Sequence, residues 1–512
     1  MQSVTLIKKN LYYDSVTLMK LSGQISELPG VIDVLVGMGT DLNKNLLMDI
    51  GITTSESEAA GANDLLIGIR AETEESIAAA LQNIDQIMNK GAGKSIGERK
   101  FETIRQVAAL NEGYNLAVVS VPGIYATREC KTALNNDMHV FLFSDNVTVD
   151  EEVELKQLAN EKNLLLMGPD CGTAIIGGVP LGFANRVRKG NVGIAAASGT
   201  GLQHVTTLID RLGAGISQAI GTGGRDLSER VQGRTMFAAL DALDNDADTR
   251  VVVILSKPHA PSVADKVLAR AKSMSKPVVL CLFGQGPLDN PGNIRQCYNI
   301  EETAVKAASL ALCRDVRFED VFFSDRRVEE FRKIRRQEQR YVRGIFCGGT
   351  LCDEAMITFR RHGIPFYSNI PIFPDEQLAD IHISTGNTFI DMGDDYFTRG
   401  KPHPMIEPSL RNKRIIQDAQ EPDTAVMLID IVIGHGSHED PAGVALQAAK
   451  ESGRTDVLWI ASIVGTDADP QNLSGQAKKL TDEGFVVTES NVRAATLAAS
   501  LVSSFAESEV KS

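Results

Sequence analysis

The sequence predicts an α/β protein built from several doubly wound parallel sheets, preceded by a smaller αβ module. Short apolar runs typical of buried parallel strands alternate with segments whose apolar residues recur every three or four positions, as on one face of a helix. Many of these runs end in glycine turns, and the chain contains 44 glycines. Alternating strands and helices form right-handed parallel units whose ligands lie beyond the carboxyl ends of the strands.

Composition limits the class of protein. The chain has 512 residues, 43% hydrophobic and 23% charged, enough for three or four globular domains of roughly 100–200 residues each. The net charge of −14 argues against a general nucleic-acid binder. Seven cysteines without regular spacing indicate a reducing compartment. Because neither a signal peptide nor a membrane span is recognisable, we expect a cytoplasmic protein.

Residues 1–90 are predicted to form a ferredoxin-like module. Apolar strands at residues 5–7, 31–37 and 65–69 alternate with helices in the order βαβ followed by βα. A glycine turn precedes Asp41, Asn43 and Lys44, which either hold a ligand or only cap the following helix. Residues 91–112 then form a polar connector.

A first parallel unit is expected over residues 112–188. Its strands are predicted at residues 116–120, 140–143 and 164–167. Asn146 follows the second of these strands and Asp170 follows the third. Both residues are therefore predicted to lie on the ligand side of the sheet.

The central unit, residues 190–314, carries the pattern on which the functional hypothesis depends. An apolar strand at residues 192–197 runs into Ser198, Gly199 and Thr200, and an amphipathic helix follows. Small residues at such a turn let an anion approach the backbone N–H groups at the helix start, which predicts a phosphate or carboxylate cradle. The alternative is an ordinary turn with a serine or threonine N-cap.

Two further strand ends of this unit add candidates. The strand at residues 216–220 ends in a turn that contains Gly223, Gly224 and Arg225, and Lys257 follows the strand at residues 251–255. A cation at a strand end could meet a phosphate or a carboxylate. The simpler alternative for Lys257 is an exposed loop lysine.

Residues 315–342 are predicted to form a linker whose charge-rich part is a solvated helix, and residues 343–512 a last α/β unit. The strand at residues 425–432 ends in Gly434, His435, Gly436 and Ser437, which become candidates for the same reason. Metal-ligand types also gather at these strand ends, although such loops collect polar residues anyway, and we do not favour a metal site. The residues concerned are Asp394, Asp395, His403, His435, His438 and Asp440.

Two parts of the chain resemble succinyl-CoA synthetase. Residues 168–171, 192–200 and 222–226 are similar to motifs of its α-subunit, and residues 389–393 and 425–440 to the carboxyl-terminal domain of its β-subunit. In that enzyme one helix start from each subunit faces a shared phosphate. The resemblance therefore implies that helix starts near residues 198–200 and 434–438 surround one anion.

Nearly the whole chain resembles the FdrA family, which fuses such α-like and β-like ligase domains. The motifs that carry this resemblance are residues 14–19, 143–147, 167–173 and 400–406. The resemblance implies a CoA-binding, Rossmann-like half at residues 112–188, followed by flavodoxin-like ligase domains at residues 190–314 and 343–512. Members are usually named acyl-CoA synthetases, and some are linked to oxamate carbamoyltransferase, an activity of allantoin breakdown.

The sequence also departs from the ligase pattern. The ligase relays phosphate through a histidine, but the loop after Phe283 has none, and neither a glycine-rich CoA-binding turn nor an ATP-grasp-sized segment is found. We therefore expect a subunit of a carbamoyl or acyl transferase, of the purine or allantoin catabolism type, that needs no nucleophile from the protein. The alternatives are an acyl-CoA synthetase that uses CoA and a non-catalytic metabolite-binding scaffold.

Under this hypothesis Arg225, Lys257 and His435 are catalytic, and phosphate or carbamoyl phosphate is a substrate. No metal is assigned. Expected partners are a small anionic substrate and either partner subunits encoded nearby or further copies of the chain, with no nucleic acid and no membrane. The predicted anion-binding residues are Asn146, Asp170, Ser198, Gly199, Thr200, Gly223, Gly224, Gly434, Gly436 and Ser437.

Overall fold

The computed structural model describes residues 2–510 except 10, 12, 14, 27, 62–63, 92–100, 102, 111, 320–325 and 399–400. Asp14 and Gly400 of the family-like motifs, and much of the predicted connector at residues 91–112, lie outside the described residues. The described part of the chain forms four sheets joined mainly by helices, which confirms the predicted α/β class. Within it, no helix is long and apolar enough to cross a membrane.

The amino-terminal module has its own small core. Its elements are β1 (Gln2–Lys8), α1 (Ser15–Ser26), β2 (Val31–Met38), α2 (Asp41–Asp49), α3 (Ser55–Glu58), β3 (Leu65–Ala71) and α4 (Glu74–Gly91). The described strands pair antiparallel in the order β1-β3-β2, so β3 lies between the two strands joined by α1, as in a ferredoxin-like fold. Thr40 caps α2 by accepting from the Asn43 N–H group, and the Asn43 side chain donates to the carbonyl of Met38 at 2.7 Å.

A three-stranded parallel sheet follows the module. Its elements are α5 (Ile104–Ala108), β4 (Leu116–Val119), α6 (Gly123–Asn135), β5 (His139–Leu142), α7 (Val149–Glu161) and β6 (Leu166–Met167). The strands pair parallel, in the order β4-β5-β6; parallel pairing was predicted for this segment, and the strand order was not.

The central sheet has seven strands. Its elements are β7 (Thr173–Ile176), β8 (Val179–Gly182), β9 (Lys189–Ala197), α8 (Gly199–Arg211), β10 (Ile216–Gly221), α9 (Arg234–Asn245), β11 (Val251–Ser256), α10 (Pro261–Ser273), β12 (Val278–Leu282), β13 (Ile294–Gln296) and α11 (Ile300–Leu312). The order is β13-β12-β11-β9-β10-β7-β8. Because β7 pairs antiparallel with β10, and β8 pairs antiparallel with β7, this sheet reaches back across the boundary predicted at residues 188–190.

The predicted linker contains a helix, as the sequence indicated, and two residues of that helix are buried. It contains α12 (Arg326–Ile334), and the last unit begins inside the predicted range, with β14 starting at Tyr341. Val328 and Phe331 on α12 are buried, and the Phe331 ring packs 6.4 Å from that of Phe505. The charged face of α12 is mostly exposed, and its two buried apolar residues are enough to dock the other face of this short helix.

The last sheet has six parallel strands in the order β15-β16-β14-β17-β18-β19. Its elements are β14 (Tyr341–Phe346), α13 (Gly349–Arg361), β15 (Tyr367–Ser368), β16 (Thr388–Asp391), α14 (Asp395–Thr398), α15 (Ser409–Gln420), β17 (Thr424–Val432), α16 (Pro441–Glu451), β18 (Leu458–Val464), α17 (Leu473–Asp482), β19 (Val486–Thr488) and α18 (Asn491–Val510).

The two large sheets share one hydrophobic core. A single cluster of buried side chains includes residues of α8 and α11 from one domain and of α13 and α18 from the other. Polar contacts cross the same interface: the Ile300 N–H group of α11 donates to Glu354 of α13 at 2.7 Å, and the Asn491 N–H group of α18 donates to His204 Nε2 of α8 at 3.3 Å. This packing fixes the starts of α8 and α13 relative to each other.

Candidate functional site

The starts of α8 and α13 meet at the interface between the two large domains. The hydroxyls of Ser198 and Thr350 lie 2.6 Å apart, in a buried hydrogen bond. A Cβ atom added at Gly348 would lie 2.8 Å from the Thr200 side chain, so the glycine permits this close approach. Two helix starts that face each other direct their unpaired N–H groups and positive dipole ends towards the same region.

The pairing of helix starts differs from the one that the resemblance implied. Residues 434–438 do not form a helix start, because α16 begins at Pro441. Asp440 caps that helix by accepting from Gly443 N–H at 3.3 Å, and Lys479 pairs with the same carboxylate at 2.7 Å. The start of α16 therefore already has a capping carboxylate, Asp440, and a cation, Lys479, that neutralises it. The helix that meets α8 is α13.

The predicted residues after β17 instead contact the segment that follows β8. His435 N–H donates to the carbonyl of Ala184 at 2.9 Å, and Arg186 Nε donates to His435 Nε2 at 3.3 Å. Gly434 and Gly436 have positive φ angles of 120° and 85°, and a Cβ at Gly436 would lie 2.7 Å from the Phe183 ring. The Ser437 hydroxyl is buried and lacks a hydrogen-bond partner within the described chain.

Lys257 lies beside the two helix starts. It follows β11, which pairs with β9, so its backbone is next to the strand end that leads into α8. A Cβ added at Gly349 would lie 2.7 Å from Lys257 Nζ and 2.6 Å from Asp391 Oδ2. The glycine at the start of α13 therefore leaves just enough room for a cation and a carboxylate at this point.

Carboxylates surround the Lys257 ammonium. Desolvation lowers the pKa of Lys257, but Asp353, Asp391 and Asp170 outweigh this effect, so the net pKa is raised and the lysine stays charged. Desolvation raises the pKa of Asp391 to about 7, although Lys257 and the Gly393 N–H group act in the opposite direction. Desolvation likewise raises the pKa of Asp353 to about 6. Burial therefore shifts the pKa of both carboxylates upwards, towards neutral pH.

Asp170 belongs to the same group of charges. Asp170 has an exposed surface, but the surrounding protein atoms still desolvate its carboxyl group. This desolvation, together with the negative charge of Asp145, raises the pKa of Asp170 to about 6. Lys257 and Arg225 oppose the rise. Asn146, which the prediction placed at the end of the preceding strand, has a positive φ of 54° and an exposed side chain.

Arg225 is held by the three-stranded-sheet domain. Its Nε donates to Glu152 at 3.0 Å, and its guanidinium also donates to the carbonyl of Val147 at 2.8 Å. Glu152 in turn pairs with buried Lys156 at 2.9 Å. The charge of Arg225 is therefore largely balanced by protein carboxylate before any ligand binds.

The turn that carries Arg225 packs against the end of the three-stranded sheet. Gly223 has a positive φ of 89°, and a Cβ there would lie 2.6 Å from the carbonyl oxygen of Pro169. No heavy atom lies within 4 Å of a Cβ added at Gly224, so that position is open. Of the two predicted glycines, only Gly223 is required by the close packing.

We call the place where the starts of α8 and α13 meet beside Lys257 the junction. Several residues of this junction were not among the candidates predicted from the sequence. The pattern of strand, glycine turn and helix at residues 197–201 recurs at Gly348, Gly349 and Thr350. This repetition could have identified the three residues as candidates from the sequence. Asp391 ends an apolar strand, but Asp353 lies inside a helix and carries no sequence signal. Asp430 is hidden in an apolar strand, where it accepts from Cys347 and Gly348 N–H groups, each at 3.0 Å.

No group of three or more histidine, cysteine, aspartate or glutamate side chains close enough to hold a metal ion occurs in the part of the chain that the structure describes. The alternative metal ligands named from the sequence are thus not brought together as one such group.

Three family models match parts of the chain. They are CoA-ligase at residues 345–501, CoA binding domain at residues 187–282, and AllF, heavy metal-associated domain at residues 1–103. Residues 1–103 contain neither cysteine nor histidine, the usual ligands of soft heavy metals, so this chain does not fit a heavy-metal site there.

Relatives cover the chain to different extents. The Escherichia coli (strain K12) protein YahF is 43% identical over 502 residues, which is 96% of this chain and 97% of that protein. The α-subunit of ADP-forming succinate–CoA ligase from Staphylococcus epidermidis (strain ATCC 35984) is 27% identical over 203 residues, 38% of this chain and 65% of the subunit.

A solved structure of dinucleotide forming acetyl-coenzyme A synthetase 1 from Ca. Korarchaeum cryptofilum, in complex with phosphate and ADP, is 16% identical. It covers 81% of this chain and 87% of that chain, with a TM-score of 0.32. The identity to YahF extends over almost the entire chain, and the CoA-ligase and CoA-binding models match the two large domains. The chain therefore belongs to the FdrA family of fused, succinyl-CoA synthetase-like ligase domains.

Proposed function

We propose that this chain is an acyl-CoA synthetase of the CoA-ligase type, which transfers an acyl group between phosphate and the thiol of coenzyme A. The observation that carries the proposal is the meeting of the α8 and α13 helix starts beside Lys257, with the Ser198 and Thr350 hydroxyls 2.6 Å apart. Paired helix starts with a nearby cation provide what a phosphate dianion requires, namely N–H donors and positive charge.

The chemistry assigned to the junction is simple. The sulfur of coenzyme A attacks the acyl carbonyl carbon, the new C–S bond forms and the C–O bond to phosphate breaks. Phosphate leaves with the electron pair and takes up the thiol proton. Lys257 and the N–H groups at the starts of α8 and α13 stabilise the charge that develops on the leaving phosphate, so the protein supplies orientation and electrostatics.

Thioester formation tests this proposal directly. Purified chain is incubated with acetyl phosphate and coenzyme A, and thioester and inorganic phosphate are measured together. We expect equimolar release of both, and Lys257→Met should lower the rate by about 10²–10³-fold, the cost of losing one preorganised charge contact. Lys272→Met on α10 is the matched control and should retain the wild-type rate. Absence of thioester with every acyl phosphate tried would refute CoA-dependent transfer.

A second function is favoured by one feature of the chain. The loop after β12, residues 283–290, contains no histidine, and Gly284 has a positive φ of 87° there. A relay through a phosphohistidine in this loop is therefore unavailable. The second candidate is direct carbamoyl transfer of the oxamate carbamoyltransferase type, as in allantoin breakdown, in which the amide nitrogen of oxamate attacks carbamoyl phosphate and phosphate leaves with the amide proton.

The two functions differ in their requirement for coenzyme A. The chain is incubated with carbamoyl phosphate and oxamate. Phosphate release without coenzyme A would support carbamoyl transfer to oxamate, and phosphate release that depends on coenzyme A would support the acyl-CoA synthetase function. The assay is run with the chain alone and with the products of neighbouring genes, because we expect partner subunits. Binding of phosphate without turnover in any mixture would instead favour the metabolite-binding scaffold.

A further inference from the structure

A groove lined by basic side chains runs along α6, on the three-stranded-sheet domain. It lies between α5 and α6 and has a volume of about 470 Å³. Its size falls within the usual range of small-molecule sites, roughly 300–1,000 Å³. The residues that matter for its chemistry are Arg105, Ile124, Thr127, Arg128, Lys131 and Glu151.

The groove carries more positive charge than its surroundings neutralise. Neither Arg105 nor Arg128 has an ion pair among the described residues, whereas Lys131 pairs with Glu154 at 2.7 Å. That pair is solvent-exposed and therefore weak, so Lys131 remains available to another anion. In a chain with a net charge of −14, one cation on α5 and two on α6 that line the same groove are a local exception to the overall field.

Thr127 adds an observation of a different kind. The residue is 8% exposed and lines the groove, and its buried hydroxyl lies near the Glu151 carboxylate without forming a hydrogen bond of ordinary geometry in the described chain. A buried polar group without a partner costs stability, so such groups usually have a ligand or water partner. Among the described residues that line the groove, the one acidic group is Glu151, which accepts a hydrogen bond from the Thr148 hydroxyl at 2.7 Å in the cap of α7.

We propose that this groove binds a phosphate-bearing ligand of nucleotide size. Its phosphates lie against Arg105, Arg128 and Lys131, and an apolar part lies on Ile124, whose side chain is 70% exposed. The 13 residues of α6 span roughly 20 Å at 1.5 Å per residue, enough for a phosphate chain with an attached base or pantetheine arm. This site is separate from the junction and does not depend on the reaction proposed there.

Calorimetric titration of the full chain tests the proposal. The probes are pyrophosphate, ATP and coenzyme A, and the chain carries Lys257→Met so that binding at the junction contributes little. We expect at least one probe to bind with one-to-one stoichiometry. Combining Arg105→Glu with Arg128→Glu should weaken its affinity by about tenfold or more, because two charge-assisted contacts become repulsions.

Two further variants distinguish specific binding in the groove from a general effect of the net charge on anion binding. Combining Lys189→Glu with Arg250→Glu changes the net charge equally at another surface and should alter the affinity by less than about twofold. Thr127→Val keeps the side-chain shape and should weaken binding by about three- to tenfold through loss of one hydrogen bond. Equal weakening by the control pair, or no binding of any probe, would overturn the proposal. Tighter binding of ATP or coenzyme A than of pyrophosphate would identify the non-phosphate part that rests on Ile124.

Discussion

The starts of α8 and α13 share one local pattern, a buried strand followed by small residues and a helix, yet they are stabilised differently. Ser198 caps α8 locally by accepting from Gly201 N–H at 3.0 Å. Gly348 cannot cap α13 with a side chain, and Asp430 on the neighbouring strand β17 accepts the N–H groups of Cys347 and Gly348 instead. One start thus depends on a hydroxyl of its own turn and the other on a buried carboxylate from another strand.

Because of this difference, the starts of the two helices are filled in different ways. At α8 the hydroxyls of Ser198 and Thr200 occupy the turn, whereas at α13 two glycines leave space that Thr200, Lys257 and Asp391 fill. The α13 start must therefore be held without bulk, and a carboxylate that approaches from β17 achieves this. The two helix starts are complementary in shape and are not interchangeable.

The largest effect should come from the carboxylate that holds α13. Asp430 is fully buried and pairs with Arg411 at 2.7 Å. Asp430→Ala leaves a buried guanidinium without its partner, so we expect a loss of about 3–5 kcal/mol in the free energy of unfolding. Chemical denaturation measures the change, and Asp430→Asn, which keeps an acceptor, should lose less. A change below 1 kcal/mol for the alanine variant would show that the start of α13 does not depend on this pair.

The next effect compares equivalent first residues of the two helices. A methyl group at Gly349 would press on Asp391 and Lys257, at 2.6 and 2.7 Å, whereas at Gly199 the nearest heavy atom, Thr173 Oγ1, is 3.9 Å away. Gly349→Ala should destabilise the fold by about 1–3 kcal/mol through overpacking. Gly199→Ala should change the free energy of unfolding by less than about 0.5 kcal/mol. Equal effects in denaturation would mean that the two starts are packed alike.

The sequence predicted the sheets and the strand ends because those depend on local periodicity. The sequence pattern predicts a strand, a glycine turn and a helix start at residues 192–201 and again at residues 344–351, and both segments form these elements. Which helix starts meet was not predictable, because it is decided by the packing of α8, α11, α13 and α18 across the domain interface. The analogy with two separate subunits directed attention to residues 434–438, where no helix begins.

The charges of the junction were only partly predictable for a related reason. Lys257 and Asp170 follow strands and could be found by their position, and Asp391 ends a strand. Asp353 lies in the second turn of α13 and Asp430 within an apolar strand, so neither has a local pattern that marks it. Their roles arise from residues more than 70 positions distant, such as the Cys347 N–H group for Asp430.

The acidic surroundings of Lys257 predict that anion binding at the two helix starts weakens as the pH rises. The pKa values of Asp353 and Asp170 are raised to about 6, and that of Asp391 to about 7, chiefly by desolvation. These groups are partly protonated near pH 6 and carry negative charge at pH 8. Because a bound anion favours their neutral forms, binding takes up protons, and the affinity falls by at most about tenfold per pH unit for each proton.

Sulfate is a suitable probe because it does not titrate in this range, and calorimetry at pH 6, 7 and 8 measures its affinity. Asp391→Asn, which is neutral at every pH, should bind more tightly at pH 8 and show a flatter dependence than the wild type. The distal groups that face this cluster, Asp145, Asp394, Asp395 and Arg225, remain in both proteins. An affinity that does not vary with pH would place the anion away from these carboxylates.

The smallest expected effect concerns the hydrogen bond that joins the two helix starts. Ser198 both caps α8 and contacts the Thr350 hydroxyl, so Ser198→Ala should cost about 1 kcal/mol as a lost cap. Thr350→Val removes the partner hydroxyl without changing the shape. If the contact couples the two starts, the double variant should lose less than the sum of the single losses, by about 0.5–1.5 kcal/mol in a double-mutant cycle of unfolding free energies. Strict additivity would mean that the hydroxyls lie together without stabilising each other, and that the core shared by the two domains alone positions α8 against α13.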